Sequence, residues 1–175
     1  MNNISIRLTQ VTLTNLKALH QISRKTFIDS FAHLNTKENM EAYLTDHLTE
    51  QKLSEELDHS GSEFYFAENN GEPIGYIKIN TGAAQTELQD EDSLEIERIY
   101  VIKEYQGQKI GQLLFNKALE LAKKANRPYI WLGVWDKNEK AIQFYQKMGF
   151  IAFDSHPFKL GDDMQTDIMM KLELI

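Results

Sequence analysis

The sequence feature that most constrains the fold is a glycine-containing turn at residues 106–111, Gln-Gly-Gln-Lys-Ile-Gly. The segment before it, residues 93–101, is predicted to be a strand. In the segment after it, residues 112–125, leucine and alanine recur at spacings of three and four, which predicts an amphipathic helix. A turn that opens a helix leaves backbone N–H groups unpaired, and with the helix dipole these form a site for an anion, usually phosphate.

Composition indicates one ordinary globular domain spanning residues 1–175. Hydrophobic residues make up 42% of the chain and charged residues 26%. The chain has no cysteine, which excludes a disulfide framework, a thiolate zinc site and an enzyme that works through a covalent thioester. Residues 1–7 contain no long apolar run, so we expect neither a secretory signal nor a transmembrane span, and a cytoplasmic location.

The formal net charge of −7 disfavours nucleic acid and anionic lipid as partners and favours cations. Six acidic residues lie close together between positions 87 and 97 with no basic residue among them: Glu87, Asp90, Glu91, Asp92, Glu95 and Glu97. This run is either a solvated acidic loop or one rim of a site for a positively charged substrate.

The periodicity of the chain predicts a mixed α/β fold. Strands are predicted at residues 4–8, 64–67, 74–79, 93–101, 129–135, 150–153 and 165–174, and helices at 14–31, 36–44, 49–57, 112–125 and 138–148. Residues 69–73, Asn-Asn-Gly-Glu-Pro, predict a hairpin, and residues 81–92 a loop. This order predicts a mixed sheet with helices on both faces and a locally parallel strand pair.

A second block lies one strand and one helix beyond the turn. The turn is neither a P-loop nor a dinucleotide fingerprint. Together with the pattern Asn138-x-x-Ala141-x-x-Phe144-Tyr145-x-x-x-Gly149-Phe150, however, it resembles the GCN5-related N-acetyltransferases. Residues 26–31, 38–44, 94–101, 130–138 and 161–167 are similar to the PaiA-type spermidine/spermine N-acetyltransferases.

The resemblance implies a mostly antiparallel sheet with a central splayed parallel strand pair, and acetyl-CoA as co-substrate. The pantetheine arm would lie along one strand, and the pyrophosphate on the N–H groups of the turn. The implied cofactor-binding residues are Ile99, Tyr100, Val101, Gln106, Gly107, Gln108, Lys109, Ile110, Gly111, Gln112, Asn138, Tyr145 and Lys147. Lys109 is a departure, because the family usually has glycine there and lysine lacks glycine's freedom at positive φ.

Three of these residues also have plain structural interpretations. Asn138 can cap the last helix, contact the pantetheine, or do both. Lys147 is either a surface lysine or a contact to the cofactor phosphates. Tyr145 either packs in the core or, as the family implies, is the general acid that protonates the departing CoA thiolate.

The nucleophile needs a proton acceptor, because an alkylammonium has no free lone pair at neutral pH. By the period of two, Glu97 shares a strand face with Ile99 and Val101, and Glu95 lies one step further out. We predict Glu97 as the general base; the alternative is an ion pair with a cation such as Lys78. Asp29, Glu95 and Glu97 are the predicted substrate-binding residues.

The five histidines show no metal-ligand spacing and are interpreted as structural or surface residues, so no metal is expected. They are His20, His33, His47, His59 and His156.

The predicted function is transfer of an acetyl group from acetyl-CoA to a primary amine, preferably a polyamine, by direct attack in a ternary complex. The alternatives are another small amine, a protein N-terminus, or a non-catalytic acetyl-CoA-binding regulator. A homodimer is left open.

Overall fold

The computed structural model describes residues 5–174. The strands are β1 (Ile6–Gln10), β2 (Ser62–Asn69), β3 (Glu72–Thr81), β4 (Ser93–Val101), β5 (Tyr129–Trp135), β6 (Ile151–Leu160) and β7 (Asp163–Glu173). The helices are α1 (Leu16–Phe31), α2 (Lys37–His47), α3 (Glu50–Asp58), α4 (Ile110–Lys124) and α5 (Glu139–Lys147). None of these helices is long and apolar enough to cross a membrane.

The seven strands form one sheet in the order β1-β2-β3-β4-β5-β7-β6. All neighbours are antiparallel except β4 and β5, which follow the crossover through α4 and run parallel. Their pairing covers only Ser93–Glu95 against Tyr129–Trp131, and beyond it the two strands diverge. The predicted mixed sheet with a splayed parallel pair is therefore confirmed.

Each face of the sheet carries its own apolar core. On one face, α4 and α5 pack through Leu114 and Tyr145 against buried strand residues such as Ile77 and Leu132. On the other face, α1 to α3 pack through residues such as Leu19 and Leu53 against Phe64 and Tyr76. Because helices cover both faces, β5 is buried on both sides, as its continuous apolar run predicts.

Several local signals are confirmed. The β2–β3 hairpin turns at Asn70 and Gly71, both with positive φ. The hydroxyl groups of Thr36 and Thr49 accept hydrogen bonds from backbone N–H groups at the starts of α2 and α3. Gly149 follows α5 at φ +96°, the conformation that closes a helix.

Other boundaries differ from prediction. The sixth strand was expected to end at Phe153, but β6 continues to Leu160 and joins β7 through a tight turn at Gly161. The pattern is weak because β6 is an edge strand, mostly exposed and interrupted by Pro157. The first strand lies at Ile6–Gln10 rather than at residues 4–8, of which Ile4 is outside the described residues. Helix α4 begins at Ile110, before the predicted start at residue 112.

Candidate active site

A cleft of about 1280 Å³ opens where β4 and β5 diverge. Of the predicted site residues, all but Gln108 line it. The lining includes Asp29, Glu95, Glu97, Ile99, Tyr100, Val101, Gln106, Gly107, Lys109, Ile110, Gly111, Gln112, Asn138, Tyr145 and Lys147. The structure therefore brings together residues from α1, β4, the turn, α4 and α5, which are far apart in the sequence.

The inner wall of the cleft is a strand edge. Strand β4 pairs with β3 as far as Val101, but its pairing with β5 ends at Glu95. Among the described residues, the β5-facing backbone of the remainder of β4 therefore has no strand partner. Such an edge offers N–H and C=O groups to an extended ligand that contains amides. The pantetheine arm is a ligand of this kind.

The turn before α4 presents unpaired donors. The first backbone bond of α4 runs from Leu113 N to Lys109 O, so the N–H groups of Ile110, Gly111 and Gln112 have no helical acceptor. Gly107 has φ +77°, and a Cβ there would meet nothing within 4 Å. The open space and the N–H groups fit an anionic pyrophosphate at the helix N-terminus.

Lys109 occupies a conformation that favours glycine. It is the N-cap of α4 with φ +64° and ψ +14°, in the left-handed region. The sequence analysis identified Lys109 as the departure from the family pattern, and the backbone there retains the shape that a glycine would adopt. The lysine side chain brings a cation to the cleft at a cost in backbone strain.

A chain of hydrogen bonds ties the turn to its neighbours. Lys140 Nζ donates to Gln106 Oε1 at 2.9 Å, and Gln106 Nε2 donates to the Val101 carbonyl oxygen at 3.1 Å. At Gly111, an added Cβ would touch only the ring of Phe144, at 3.7 Å. The turn is thus held by β4 and α5, and Gly111 leaves room beside the helix N-terminus.

Opposite charges line different parts of the cleft. Around α4 and α5 the lining contains five lysines: Lys103, Lys109, Lys137, Lys140 and Lys147. Glu139 of α5 also lines it, and elsewhere the lining contains Arg98 and the carboxylates of Asp29, Glu56, Glu87, Glu95, Glu97 and Asp167. A chain with a net charge of −7 therefore still offers lysines around α4 and α5 to a phosphorylated ligand, and carboxylates on other elements to a cation.

Asn138 caps α5. Its side-chain oxygen accepts a hydrogen bond from Ala141 N at 3.2 Å, which satisfies one of the free donors at the helix start. The capping interpretation is confirmed. The Asn138 side-chain N–H₂ group remains available to the cleft, so the cap leaves the cofactor contact as a prediction.

Tyr145 both packs in the core and lines the cleft. Its ring lies 5.7 Å from that of Phe150 and 5.4 Å from that of Phe144, and the residue is 8% exposed. Burial raises the pKa of Tyr145 above its ordinary value. The phenol therefore keeps its proton at neutral pH and can donate a hydrogen bond into the cleft.

A β-bulge in β4 corrects the predicted orientation of the two glutamates. The register of β4 against β3 shifts between Lys78 and Ile79, which leaves Glu97 as the extra residue. The strict period of two therefore fails there. Glu95 and Glu97 lie on the face of Asn80, which donates to both, and not on the face of Ile99.

Glu97 belongs to a buried ion network. Its carboxylate lies 2.6 Å from Lys78 Nζ and 3.1 Å from Arg98 Nη2, and Glu56 pairs with both cations. Burial opposes its ionisation, but the charges of Arg98 and Lys78 hold the pKa of Glu97 below its usual range. The ion-pair alternative is what the structure shows, and a carboxylate of lowered pKa is a weaker base. The catalytic role of Glu97 stays a prediction.

Glu95 is buried without an ion-pair partner among its hydrogen bonds. Thr86 donates to it from its hydroxyl and from its backbone N–H, and Asn80 Nδ2 donates at 3.0 Å. Burial raises the pKa of Glu95 above its usual range, against these hydrogen bonds. Its ionised form is therefore sensitive to any cation that enters the cleft.

Among the cleft-wall residues that the sequence did not predict as site residues are His156 on β6 and Asp167 on β7. His156 lies 3.5 Å from Glu87 and 3.9 Å from Asp167, measured between side-chain nitrogen and oxygen atoms. Of the acidic run, Glu87, Glu95 and Glu97 line the cleft, whereas Asp90 binds the hydroxyl of Tyr129. For the three glutamates that line the cleft, a role as one rim of a site for a positively charged substrate stays a prediction.

Comparison with known proteins agrees with this geometry. A model of the acetyltransferase (GNAT) family matches residues 17–150. The chain belongs to the GNAT acetyltransferase family. An uncharacterized N-acetyltransferase from Lactobacillus delbrueckii subsp. lactis is 41% identical over 170 residues, which cover 97% of this chain and 98% of that relative.

Two further GNAT proteins are similar. A spermidine N(1)-acetyltransferase from Thermoplasma acidophilum is 26% identical, over 87% of this chain and 92% of that relative. The crystal structure of the PaiA N-acetyltransferase from the same organism, in complex with coenzyme A, has a TM-score of 0.81 at 23% identity. It covers 98% of this chain and 100% of that chain. This GNAT protein is accordingly an acetyl-CoA-dependent N-acetyltransferase.

Proposed function

We propose that the acceptor is a small polycationic amine of the spermidine type, acetylated by direct attack on acetyl-CoA. The observation that carries this is the negative charge of the cleft residues that lie outside the turn, α4 and α5. Lys78 and Arg98 balance Glu56 and Glu97, so that network carries no net charge. The surplus negative charge comes from other side chains that line the cleft, namely Asp29, Glu87, Glu95 and Asp167.

Aromatic rings supply the rest of the acceptor wall. Phe27, Phe31, Tyr43, Trp135 and Phe158 line the cleft, with Phe31 and Trp135 in contact at 5.7 Å between ring centroids. Ring faces attract ammonium groups and also pack against methylene segments. A lining that contains both carboxylates and rings suits a flexible chain that alternates charges with methylenes.

The spermidine N(1)-acetyltransferase relative also supports this substrate class, although 26% identity leaves the acceptor open. Asp29 is the weakest part of the substrate prediction. It forms an i,i+4 ion pair with Lys25 at 3.2 Å, which reduces its net attraction for a second cation. We therefore assign Asp29 a smaller share of substrate affinity than the acids of the inner wall.

In this proposal the residues of the cleft orient the reactants, and Tyr145 donates a proton in a hydrogen bond to the leaving group. The free edge of β4 positions the thioester and polarises its carbonyl through backbone N–H groups. The Tyr145 hydroxyl donates a hydrogen bond to the sulfur as negative charge develops there. Acetyl-CoA supplies the activated acyl group.

The test is a substrate panel at low and high salt. Because the chain has no cysteine, a thiol-reactive dye follows CoA release without a protein background. We expect spermidine and spermine to react faster than amino acids, aminoglycosides and peptide N-termini. We also expect kcat/KM for the polyamines to fall on the order of tenfold between about 0.05 and 0.5 M salt, since exposed charges are screened.

Two controls sharpen the panel. Monoacetylated spermidine, with one charge fewer, should bind more weakly, and neutral hydroxylamine-type acceptors should show no salt dependence. Preferred reaction of peptide N-termini, or polyamine turnover that ignores salt, would refute the polyamine proposal while the acetyltransferase assignment stands. A homodimer and a cytoplasmic location stay predictions.

A further inference from the structure

We propose that His156 accepts the proton that the ammonium group of the acceptor must lose. The inference rests on the proposed function only in requiring a protonated amine as acceptor. His156 lies on β6, directly opposite Asp167 of β7. Gly133 lies on β5, two residues beyond Trp131, the last residue paired with β4. His156 and Gly133 both line the cleft.

The ring of His156 is directed toward the divergence of the two strands. A Cβ added to Gly133 would lie 3.4 Å from His156 Nε2 and 3.5 Å from Asp167 Oδ2. Because Gly133 has no side chain, no Cβ of this residue lies in contact with Nε2. The His156 side chain is 18% exposed, so the cleft reaches it.

The hydrogen bonds of the ring specify its tautomer. His156 Nδ1 lies 3.0 Å from the carbonyl oxygen of Pro157 and 3.5 Å from a carboxylate oxygen of Glu87. Both partners can only accept, since a carbonyl and an ionised carboxylate carry no proton. These contacts favour the tautomer with the hydrogen on Nδ1, in which Nε2 of the neutral ring carries the lone pair on the side of Gly133 and Asp167.

The other basic groups near the divergence are already engaged. Both oxygens of Glu97 are held by the cations of its network. Both oxygens of Glu95 accept hydrogen bonds, one from the Thr86 hydroxyl and the other from Asn80 and the Thr86 N–H. His156 Nε2 accepts no hydrogen bond among the described residues, and the nearest charged atom shown beside it is Asp167 Oδ2 at 3.9 Å.

A carboxylate lies near each nitrogen of the ring. Nδ1 faces Glu87, and Nε2–H of the imidazolium would face Asp167. Burial raises the pKa of Asp167, and the charge of His156 acts in the opposite direction. The charged groups beside this ring are Glu87 before β4 and Asp167 on β7, and the charge of Asp136 after β5 acts on Asp167.

This cluster is not arranged as a metal site, because no three His, Asp or Glu side chains of residues 5–174 converge closely enough to hold an ion. The proton balance is closed without one. The ammonium proton moves to His156 Nε2, and the freed lone pair forms the C–N bond to the thioester carbon. The C–S bond breaks as the carbonyl re-forms, and the sulfur, which accepts a hydrogen bond from Tyr145, takes the second proton that the nitrogen releases, so that CoA leaves as the thiol and the product as a neutral amide.

The experiment compares pH–rate profiles of the wild type, His156→Gln and His20→Gln. His20 is the matched control because it lies on α1, pairs with Glu50 and is outside the cleft lining. With a saturating amine that the wild type acetylates, we expect kcat of His156→Gln to fall about 100-fold at pH 7, on the scale of general base catalysis. The control should keep the wild-type rate.

A second readout separates chemistry from structure. As the pH approaches the amine pKa of about 10, the acceptor deprotonates unaided, and the deficit of His156→Gln should shrink to a few-fold. Added imidazole should partly restore His156→Ala at pH 7. The melting temperature and the Kd for CoA should remain those of the wild type in both variants.

Three results would overturn the inference. They are a His156→Gln rate within threefold of wild type at pH 7, a deficit that is constant from pH 7 to 10 without imidazole rescue, or a deficit of Glu97→Gln that shrinks toward pH 10 when that of His156→Gln does not. If the wild type acetylates no amine at all, the proposed function fails. If it prefers an amine other than a polyamine, the same comparison is made with that amine.

Discussion

Replacing Lys109 by glycine should stabilise the apoprotein while weakening its binding of CoA. Lys109 has φ +64°, where an L-residue carries strain of about 1–2 kcal/mol. Glycine removes that strain but adds unfolded-state entropy that costs about 0.4–1 kcal/mol. The net gain is about 0–1.6 kcal/mol, and its midpoint of about 0.8 kcal/mol raises the melting temperature by roughly 2–3 °C for a chain of this size.

The control is Lys109→Ala, which removes the charge but keeps the Cβ and therefore the strain. Both variants lose one cation beside the N-terminus of α4, where the pyrophosphate is expected. Both should therefore weaken CoA binding by up to about tenfold, or 1.4 kcal/mol. Only the glycine variant should melt higher than wild type. The difference between the two variants thus isolates backbone strain, and the difference between Lys109→Ala and wild type isolates charge.

Gly107→Ala should change the stability in the opposite direction. Gly107 has φ +77° and an added Cβ would meet nothing, so the substitution introduces strain without a clash. We expect a loss of about 1 kcal/mol. Thermal melts and calorimetric titration with CoA measure all three variants. If Lys109→Gly melts no higher than Lys109→Ala, the strain argument is wrong, and if both variants lose CoA altogether, the backbone does not form the phosphate site.

Three further predictions concern single residues. Gly111→Asp should weaken CoA binding at least about 100-fold by placing a carboxylate at the helix N-terminus, whereas Gly111→Ala should bind within a few-fold; equal Kd values would contradict this. Tyr145→Phe should lower kcat by roughly 10- to 1,000-fold with the Kd for CoA unchanged, and an unaltered chemical step would return the residue to a packing role. Glu97→Gln should cost about 3 kcal/mol at pH 7 because it leaves Lys78 and Arg98 short of a buried counter-charge. Since pairing lowers the native pKa of Glu97, that difference in urea-unfolding free energy should persist at neutral pH and shrink as pH falls below about 4; a gap independent of pH would count against it.

The parts of the fold that the sequence predicts well depend on neighbours in the chain. The phosphate turn, the Asn70–Gly71 hairpin and the threonine caps are each specified within a few residues. Strand β5 is recognisable because burial on both faces makes its whole run apolar. Such signals survive folding because tertiary contacts do not compete with them.

The predictions that failed are those that depend on the register between paired strands. The bulge at Glu97 reverses which face the upstream residues of β4 occupy, and a period of two cannot reveal an extra residue. His156 reaches the cleft only because β6 extends through Pro157 and pairs with β7 in a particular register. No local spacing links His156 to Glu87 or Asp167, so the sequence analysis placed it among the structural histidines.

The short pairing of β4 with β5 has a consequence for the lifetime of the enzyme. Only three register pairs, Ser93–Glu95 with Tyr129–Trp131, join the two halves of the sheet, and local opening is easiest where few bonds cross. A donor molecule lying in the gap fastens both halves, so we expect amides of β4 and β5 to exchange with deuterium faster than those of β3 without CoA and to slow together when it binds. Because proteases act on opened states, turnover of the protein in the cell would then follow the supply of acetyl-CoA.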